Sequence, residues 1–389
     1  MPDSWENFRN RSKSFKDFSA LGIATIGGGV ISGLFWLYLA SILGTKAYGE
    51  INYILAIAGV ASIISFMGAG NTLVVYRAKQ INIQATMYFI AIVSSLVTSV
   101  VLFLFFQNYG ASVYVIGYVI FALATSELLG RKMYKTYSKY LLIQRGLMII
   151  FAIGLYFLIG NQGVVLGIAL SYFPLLYHII RGFREVRIDF NLVRSRFGFV
   201  INSYILDLSR IFTGSIDKII IAPLFGFVLL GNYQLGVQFL ALMTILPTVV
   251  YQYALPQDAS GKSTTKIKKG TVGISAIIGI LGVFLAPYIL PLFFPAFTEA
   301  VQILQIVSLA IIPISINMMY TSKFLAHEKN RIVVIGSGIY IGVQIVFILI
   351  LGNIYGVSGI ATALVIAAFC ETLYLTNIEK ILKIRMNKI

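Results

Sequence analysis

Runs of about 20 apolar residues, each long enough to cross the roughly 30 Å hydrocarbon core of a bilayer as a helix, recur along this whole sequence. They fall at 18–42, 49–75, 85–106, 111–130, 140–160 and 162–180. After a polar stretch at 181–196 they resume at 197–223, 228–255, 270–293, 298–322, 331–352 and 355–377. Lipid offers no water to a bare peptide group, so such segments must close their hydrogen bonds internally, as helices. The expected fold is an all-α polytopic membrane protein with twelve transmembrane helices. Composition agrees: 58% of residues are hydrophobic and 11% charged, against about 25% charged in a soluble domain.

A net charge of +16 would suit nucleic acid, but the basic residues lie between the apolar runs and not along one soluble face, which excludes that partner. With the N-terminus inside, the inner segments hold 26 of the 30 Lys and Arg. The outer loops hold only Lys46, while Arg145, Arg210 and Lys218 lie within spans. This bias predicts a multi-pass protein of the cell (plasma) membrane with both termini cytoplasmic, its basic loops drawn to anionic membrane lipids. Residues 1–18, with Trp5, Phe8, Arg9, Arg11, Lys13, Phe15, Lys16 and Phe18, read as a cytoplasmic interfacial helix. That lead runs into an apolar segment too long for a cleavable signal. Residues 378–389 form a basic tail. Cys370 stands alone, and His178 and His327 are far apart in the chain, so neither a disulfide nor a metal site is expected. No cofactor is expected either. No loop is large enough to fold as a separate domain, which places any activity in the membrane body.

One span departs from the rest. Residues 197–223 are long and apolar, yet carry Asp207, Arg210, Asp217 and Lys218. At about 100° per residue, Ser203, Asp207, Arg210, Gly214, Asp217 and Lys218 share an arc of roughly 100°. Asp207 lies about 15 Å from the inner end, near the bilayer midplane. A charge facing lipid there costs several kcal/mol, so the stripe is expected to face protein or a water-filled cavity.

The chain also repeats. Leu43-Gly44-x3-Tyr48-Gly49-x3-Tyr53 follows the first span, and Phe225-Gly226-x3-Leu230-Gly231-x-Tyr233 follows the seventh, 182 residues later. Gly163-Val164-Val165-Leu166-Gly167-Ile168-Ala169 and Gly356-Val357-Ser358-Gly359-Ile360-Ala361 start the last span of each half. An even number of spans per half gives a parallel 6+6 repeat: an N-terminal bundle at 18–180, a linker at 181–196 and a C-terminal bundle at 197–377.

These turns resemble those of the polysaccharide-export (Wzx-type) oligosaccharide flippases of the multidrug/oligosaccharidyl-lipid/polysaccharide exporter superfamily. The resemblance covers essentially the whole chain, but its motifs are structural turns and carry no chemistry. It implies two six-helix bundles around a central cavity, a MATE-like fold, alternating access, and a polyprenyl-diphosphate-linked glycan as cargo. It supplies no invariant site residues.

The residues themselves suggest roles for the buried charges. Arg210 and Lys218 are expected to meet an anionic cargo, since a diphosphate needs cations to offset its desolvation and guanidinium binds phosphate bidentately. The alternatives are a self-neutralised Asp207–Arg210 pair at i,i+3 and a Lys218 that snorkels from the helix end. Asp207 and Asp217 are candidates for coupling to H+ or Na+, or for structural pairing. Glu371 and Arg145, each near an inner helix end, suit a gating pair, with snorkelling the plainer reading. Pro174, Pro247, Pro287, Pro313 and the glycines at 27–29 and 33 read as kinks, close-packing points or hinges.

Ser260-Gly261-Lys262-Ser263-Thr264 imitates the end of a phosphate-binding loop. Pro256 stands where the first glycine is required, and a membrane span precedes it instead of a strand. The reading is thus a lipid-linked oligosaccharide flippase, not an enzyme, for which a monomer suffices. A multidrug or metabolite antiporter of the same superfamily would show an aromatic, acidic cavity without cations. A membrane-embedded glycan polymerase would usually show a sizeable outer loop with Arg or His.

Overall fold

A computed structural model of the chain describes the backbone of residues 2–260, 263–327 and 329–386. The side chains of 2–21, 23–25, 209–213, 256, 259 and 383–386 lie outside the described residues. Among the described residues there is no strand. The helices are α1 (Pro2–Phe66), α2 (Ala69–Ala78), α3 (Gln84–Phe106), α4 (Tyr109–Gly130), α5 (Tyr134–Ile159), α6 (Asn161–Leu170), α7 (Leu176–Glu185) and α8 (Phe190–Arg194). They continue as α9 (Phe197–Phe225), α10 (Phe227–Met243), α11 (Ile245–Ala259), α12 (Thr265–Phe293), α13 (Ala300–Ser308), α14 (Ile311–Ala326) and α15 (Asn330–Met386).

Seven of the described helices are long and apolar enough to cross a membrane, or up to nine if each bent pair is one span. Two of the seven, Ile26–Phe66 and Asn330–Leu382, run to 41 and 53 residues, far beyond one bilayer crossing. Each is broken by a glycine with positive φ, Gly44 in α1 and Gly356 in α15, and so contains two of the apolar segments. Helix α9 adds a further 29 residues, of which Phe197–Leu208 is a shorter apolar stretch. These elements together accommodate all twelve segments.

The expected kinks fall at proline. A 44° bend separates Phe227–Met243 from Ile245–Leu255, just before Pro247, and a 41° bend separates α13 from α14, just before Pro313. Pro174 sits in a short 3-10 turn, Phe173–Leu175, between α6 and α7. In each case the ring removes a backbone donor where the helix changes direction. Pro287 lies inside the continuous α12.

The chain divides into two compact units, Met1–Ser32 with Ile54–Ser215, and Gly33–Tyr53 with Ile216–Ile389. In the first, Leu73, Ile83, Met87, Val119, Leu123, Leu175 and Ile179 form a core where α2, α3, α4 and α7 meet. In the second, α10 and α12–α15 surround buried Tyr48, Tyr233, Phe297, Leu304 and Ile311. Outward faces are apolar, as lipid requires: on α3, Val97 is 60% and Phe105 79% exposed. Several buried hydroxyls are satisfied within their own helices, as Ser62 and Ser65 are by donating to the carbonyls of Ala58 and Ala61 at 2.6 and 2.7 Å.

The repeat is visible in the backbone. Gly44 (φ 72°, ψ 174°) and Gly226 (φ 86°, ψ 167°) adopt the same conformation, one open to glycine and hostile to other residues. Beyond these turns the two copies touch each other reciprocally. A Cβ on Gly49 would lie 2.0 Å from the Phe227 carbonyl oxygen, and one on Gly231 would lie 1.9 Å from that of Thr45. Since 45 and 49 correspond to 227 and 231 at the 182-residue offset, this contact is self-complementary, as about a two-fold axis.

The second repeat is real, but its register differs from the glycine match in the sequence. Gly160 and Gly356 both have positive φ. Gly163 and Gly359 are equivalent in their close approach, their missing Cβ atoms falling 2.1 and 1.9 Å from the Leu155 and Leu351 carbonyl oxygens. Gly356 therefore corresponds to Gly160, not Gly163, because the turn and not the string of similar letters fixes the alignment.

Candidate functional site

Helix α9 spans about 43 Å at 1.5 Å per residue, and its charged stripe does not face a single surrounding. The boundary between the two compact units falls at Ser215–Ile216. Ser203 and Asp207 belong to the first unit, Asp217 and Lys218 to the second. The arc is shared in angle but divided along the axis, because a helix this long outruns any one set of neighbours.

In the first unit Asp207 lines a cavity of about 370 Å³ with Ile63, Phe66, Tyr118, Phe121 and Thr125. The wall is aromatic. Tyr114 and Tyr118 stack with centroids 6.0 Å apart, and Tyr172 meets both edge-on at 5.6 and 6.0 Å. Arg145 lies near the hydroxyls of Tyr114, Tyr137 and Tyr172. Its stem passes 3.8 Å from where a Cβ on Gly28 would sit, an ordinary van der Waals distance. Nearby in sequence, Gln144 is buried and donates to the Ser171 hydroxyl at 2.9 Å. The Arg210 side chain lies outside the described residues.

In the second unit Asp217 and Lys218 engage each other. The carboxylate accepts from the Lys218 backbone N–H at 2.8 Å and from its ammonium at 3.3 Å, while Tyr233 donates to the other oxygen at 3.1 Å. Asp217 is 6% exposed. Tyr340 and Gln344 of α15 lie beside this group, with Gln344 hydrogen-bonded to Tyr233. Residues separately suggested for cargo and for ion coupling thus form one cluster, in which the Lys218 charge is held by protein and not directed along the helix to an interface.

Glu371 is likewise engaged within the second unit. It accepts from Asn317 Nδ2 at 2.9 Å, which also donates to the Ala368 carbonyl at 3.1 Å. Thr372 donates to Asn317 Oδ1 at 2.6 Å. This buried amide between α14 and α15 is the reason Glu371 does not extend outward. Arg145 and Glu371 belong to different units.

The sequence reading missed the tyrosines and amides around these charges. Tyr114 and Tyr118 at i,i+4 on a span were a usable signal; Gln144, Asn317 and Gln344, each buried in a membrane helix, were another. Among the described residues, no group of three His, Cys, Asp or Glu side chains could hold a metal ion.

No family model and no curated protein matches the sequence. Solved structures do match. The lipid II flippase MurJ in an inward closed conformation superposes with a TM-score of 0.75 at 16% identity, covering 92% of this chain and 87% of that one. An inward-facing multidrug resistance MATE transporter of the MOP superfamily gives 0.65 at 13% identity over 93% and 95%. A MATE in the bent conformation gives 0.58 at 15% identity over 96% of each chain. These are transporters and flippases, not enzymes. With an all-helical chain, apolar spans and an internal repeat already in hand, the likeness establishes the architecture: this is a polytopic membrane protein with the fold of the MOP-superfamily transporters and flippases.

Proposed function

We propose that the chain is a flippase for polyprenyl-diphosphate-linked oligosaccharide, moving its cargo from the cytoplasmic to the outer leaflet by alternating access. The observation that carries this reading is the pairing of expensive intramembrane charge with protein surroundings. Asp207 faces a cavity, and Asp217 and Lys218 are held by one another and by Tyr233. Such charges are retained in membrane helices where a polar or ionic substrate must pass. In this reading six spans lie on each side of the 181–196 linker, both termini are cytoplasmic, and the protein resides in the plasma membrane. Arg210, with Lys218 released from Asp217, meets the diphosphate. Asp207 and Asp217 couple transport to H+ or Na+, and Glu371 and Arg145 take part in gating. A lipid-linked cargo also suits the similarity to a lipid II flippase.

One observation favours a second reading. The aromatic, acidic wall around Asp207 is what a cation antiporter of the same superfamily would present. Site-directed variants separate the two. Arg210→Ala should abolish export of the glycan while leaving folded protein in the membrane; normal export would remove Arg210 from the cargo path. Asp207→Asn should change the pH or sodium dependence of transport, and an unaltered dependence would remove Asp207 from coupling.

A further inference from the structure

A cavity of about 660 Å³ in the second unit lies away from the Asp217 cluster, between the α11–α12 connection, α14 and the last turns of α15. Three lysines reach it, Lys268, Lys269 and Lys323, with His327 beside them. Two carboxylates share the cavity, and both are engaged. Asp258 accepts from Lys268, from Thr264 and, at 2.7 Å, from Ser322, while Glu379 accepts from Lys323. Ammonium has three donors. Lys268 directs one to Asp258 and one to the Met319 carbonyl at 3.3 Å, and Lys323 directs one to Glu379, so each retains donor capacity. Lys269 is exposed at the rim.

The position of these lysines has the wrong sign for their own helix. Lys266, Lys268 and Lys269 follow directly on the start of α12, a 29-residue helix with no acidic residue in its first turn. Cations there oppose the helix dipole, whereas an anion is favoured. The N-cap residue, Thr264, makes no side-chain cap; its hydroxyl donates to Asp258 instead. A turn or two along the same helices the lining becomes apolar, with Val272 on α12 and Ile316 and Met319 on α14. A group that is anionic at one end and apolar at the other fits both parts of the lining.

We propose that this cavity binds the phosphate-bearing headgroup of an anionic membrane lipid, as a site separate from the cargo path. The phosphate sits among Lys268, Lys269 and Lys323 at the start of α12, with hydroxyls of Ser263 and Thr265 within the same cavity, and the acyl chains run along the apolar part of the lining. A free phosphate anion shares the headgroup chemistry but would leave that part unused, so the lipid is the favoured source.

The test uses the purified full chain in detergent, titrated with phosphatidylglycerol or phosphatidylcholine and read by native mass spectrometry. One phosphatidylglycerol should be retained at a concentration about 25-fold below that needed for phosphatidylcholine, given roughly fivefold for each of Lys269 and Lys323 at an anionic lipid surface. The Lys269→Gln/Lys323→Gln pair should lose most of that preference, the corresponding Arg pair should keep it, and Lys46→Gln should leave it unchanged. Lys269→Gln alone changes an exposed side chain, so it tests the site even if the pair does not fold, and should weaken retention about fivefold. Equal retention of both lipids, or an unaltered preference in the Gln variants, would overturn the proposal. So would displacement of phosphatidylglycerol by millimolar inorganic phosphate, which would assign the cavity to a soluble anion.

Discussion

The basic ends of the two units solve one problem in different ways. In the first, Glu127 is 4% exposed and joins α2, α3 and α4 by accepting from Tyr88 and pairing with Arg77 and Arg131. Arg131 also reaches Glu185, which Arg181 holds at 2.9 Å, tying in α7. The space left is small, about 120 Å³. In the second unit the pairs are Lys268–Asp258 and Lys323–Glu379, around the 660 Å³ cavity. Guanidinium offers five donors in a rigid fork and bridges two carboxylates at once; ammonium is a compact charge on a flexible stem. Arginine therefore locks the first end, while lysine leaves the second open and able to exchange partners.

The largest expected effect follows from the lock. Glu127→Ala would leave the buried Arg77 guanidinium, the half-buried Arg131 and the Tyr88 hydroxyl without their shared acceptor, a loss of about 3–5 kcal/mol. Little folded protein should survive extraction, and size-exclusion profiles would show it. Asp258→Ala should cost about 1–3 kcal/mol, the scale of one unsatisfied charged group near water. Equal melting temperatures for the two variants would break the comparison.

Exchanging the cations sharpens it. Arg131→Lys should destabilise by about 1–2 kcal/mol, because one ammonium on a shorter reach cannot serve Glu127 and Glu185 together. Lys323→Arg should be close to neutral in the same thermal-melting assay. A neutral Arg131→Lys would show that bidentate bridging is not what closes the first end.

The smallest effect is in pH. Burial pushes the Asp258 carboxyl up, but hydrogen bonds from Lys268, Thr264 and Ser322, with the charge of Lys268, outweigh it and hold the group below the usual carboxylate range. Its contribution to stability is thus complete above an unfolded pKa of about 3.9 and lost as pH falls through the lower folded value. Asp258→Asn should melt lower than wild type at neutral pH, and the gap should close in acid. A gap that persists below about pH 3 would mean the loss is one of packing and not charge.

The all-helical class, the long apolar helices and the first repeated turn were legible because bilayer thickness and backbone satisfaction leave few choices to an apolar run, and because Gly44 and Gly226 mark turns that other residues resist. The register of the second repeat was not, since Gly163 and Gly356 look alike as letters and differ in backbone role. Periodicity placed the charged stripe of α9 on one face, but it carries no information on where along its axis a helix changes neighbours, so the split at Ser215 was hidden. Partners chosen by tertiary packing were equally hidden. The sequence shows Glu127 four residues before Arg131, but only the fold brings Arg77 and Tyr88 to it; Glu371 looked free to extend until Asn317 met it.

The central claim, that this chain moves a lipid-linked glycan, is tested most directly by a mass-spectrometric profile of lipid-linked glycans in cells with and without the protein. The account predicts that cells lacking it accumulate complete lipid-linked glycan on the cytoplasmic side and lose the exported product. An unchanged glycan profile, accompanied by new sensitivity to cationic drugs, would contradict it.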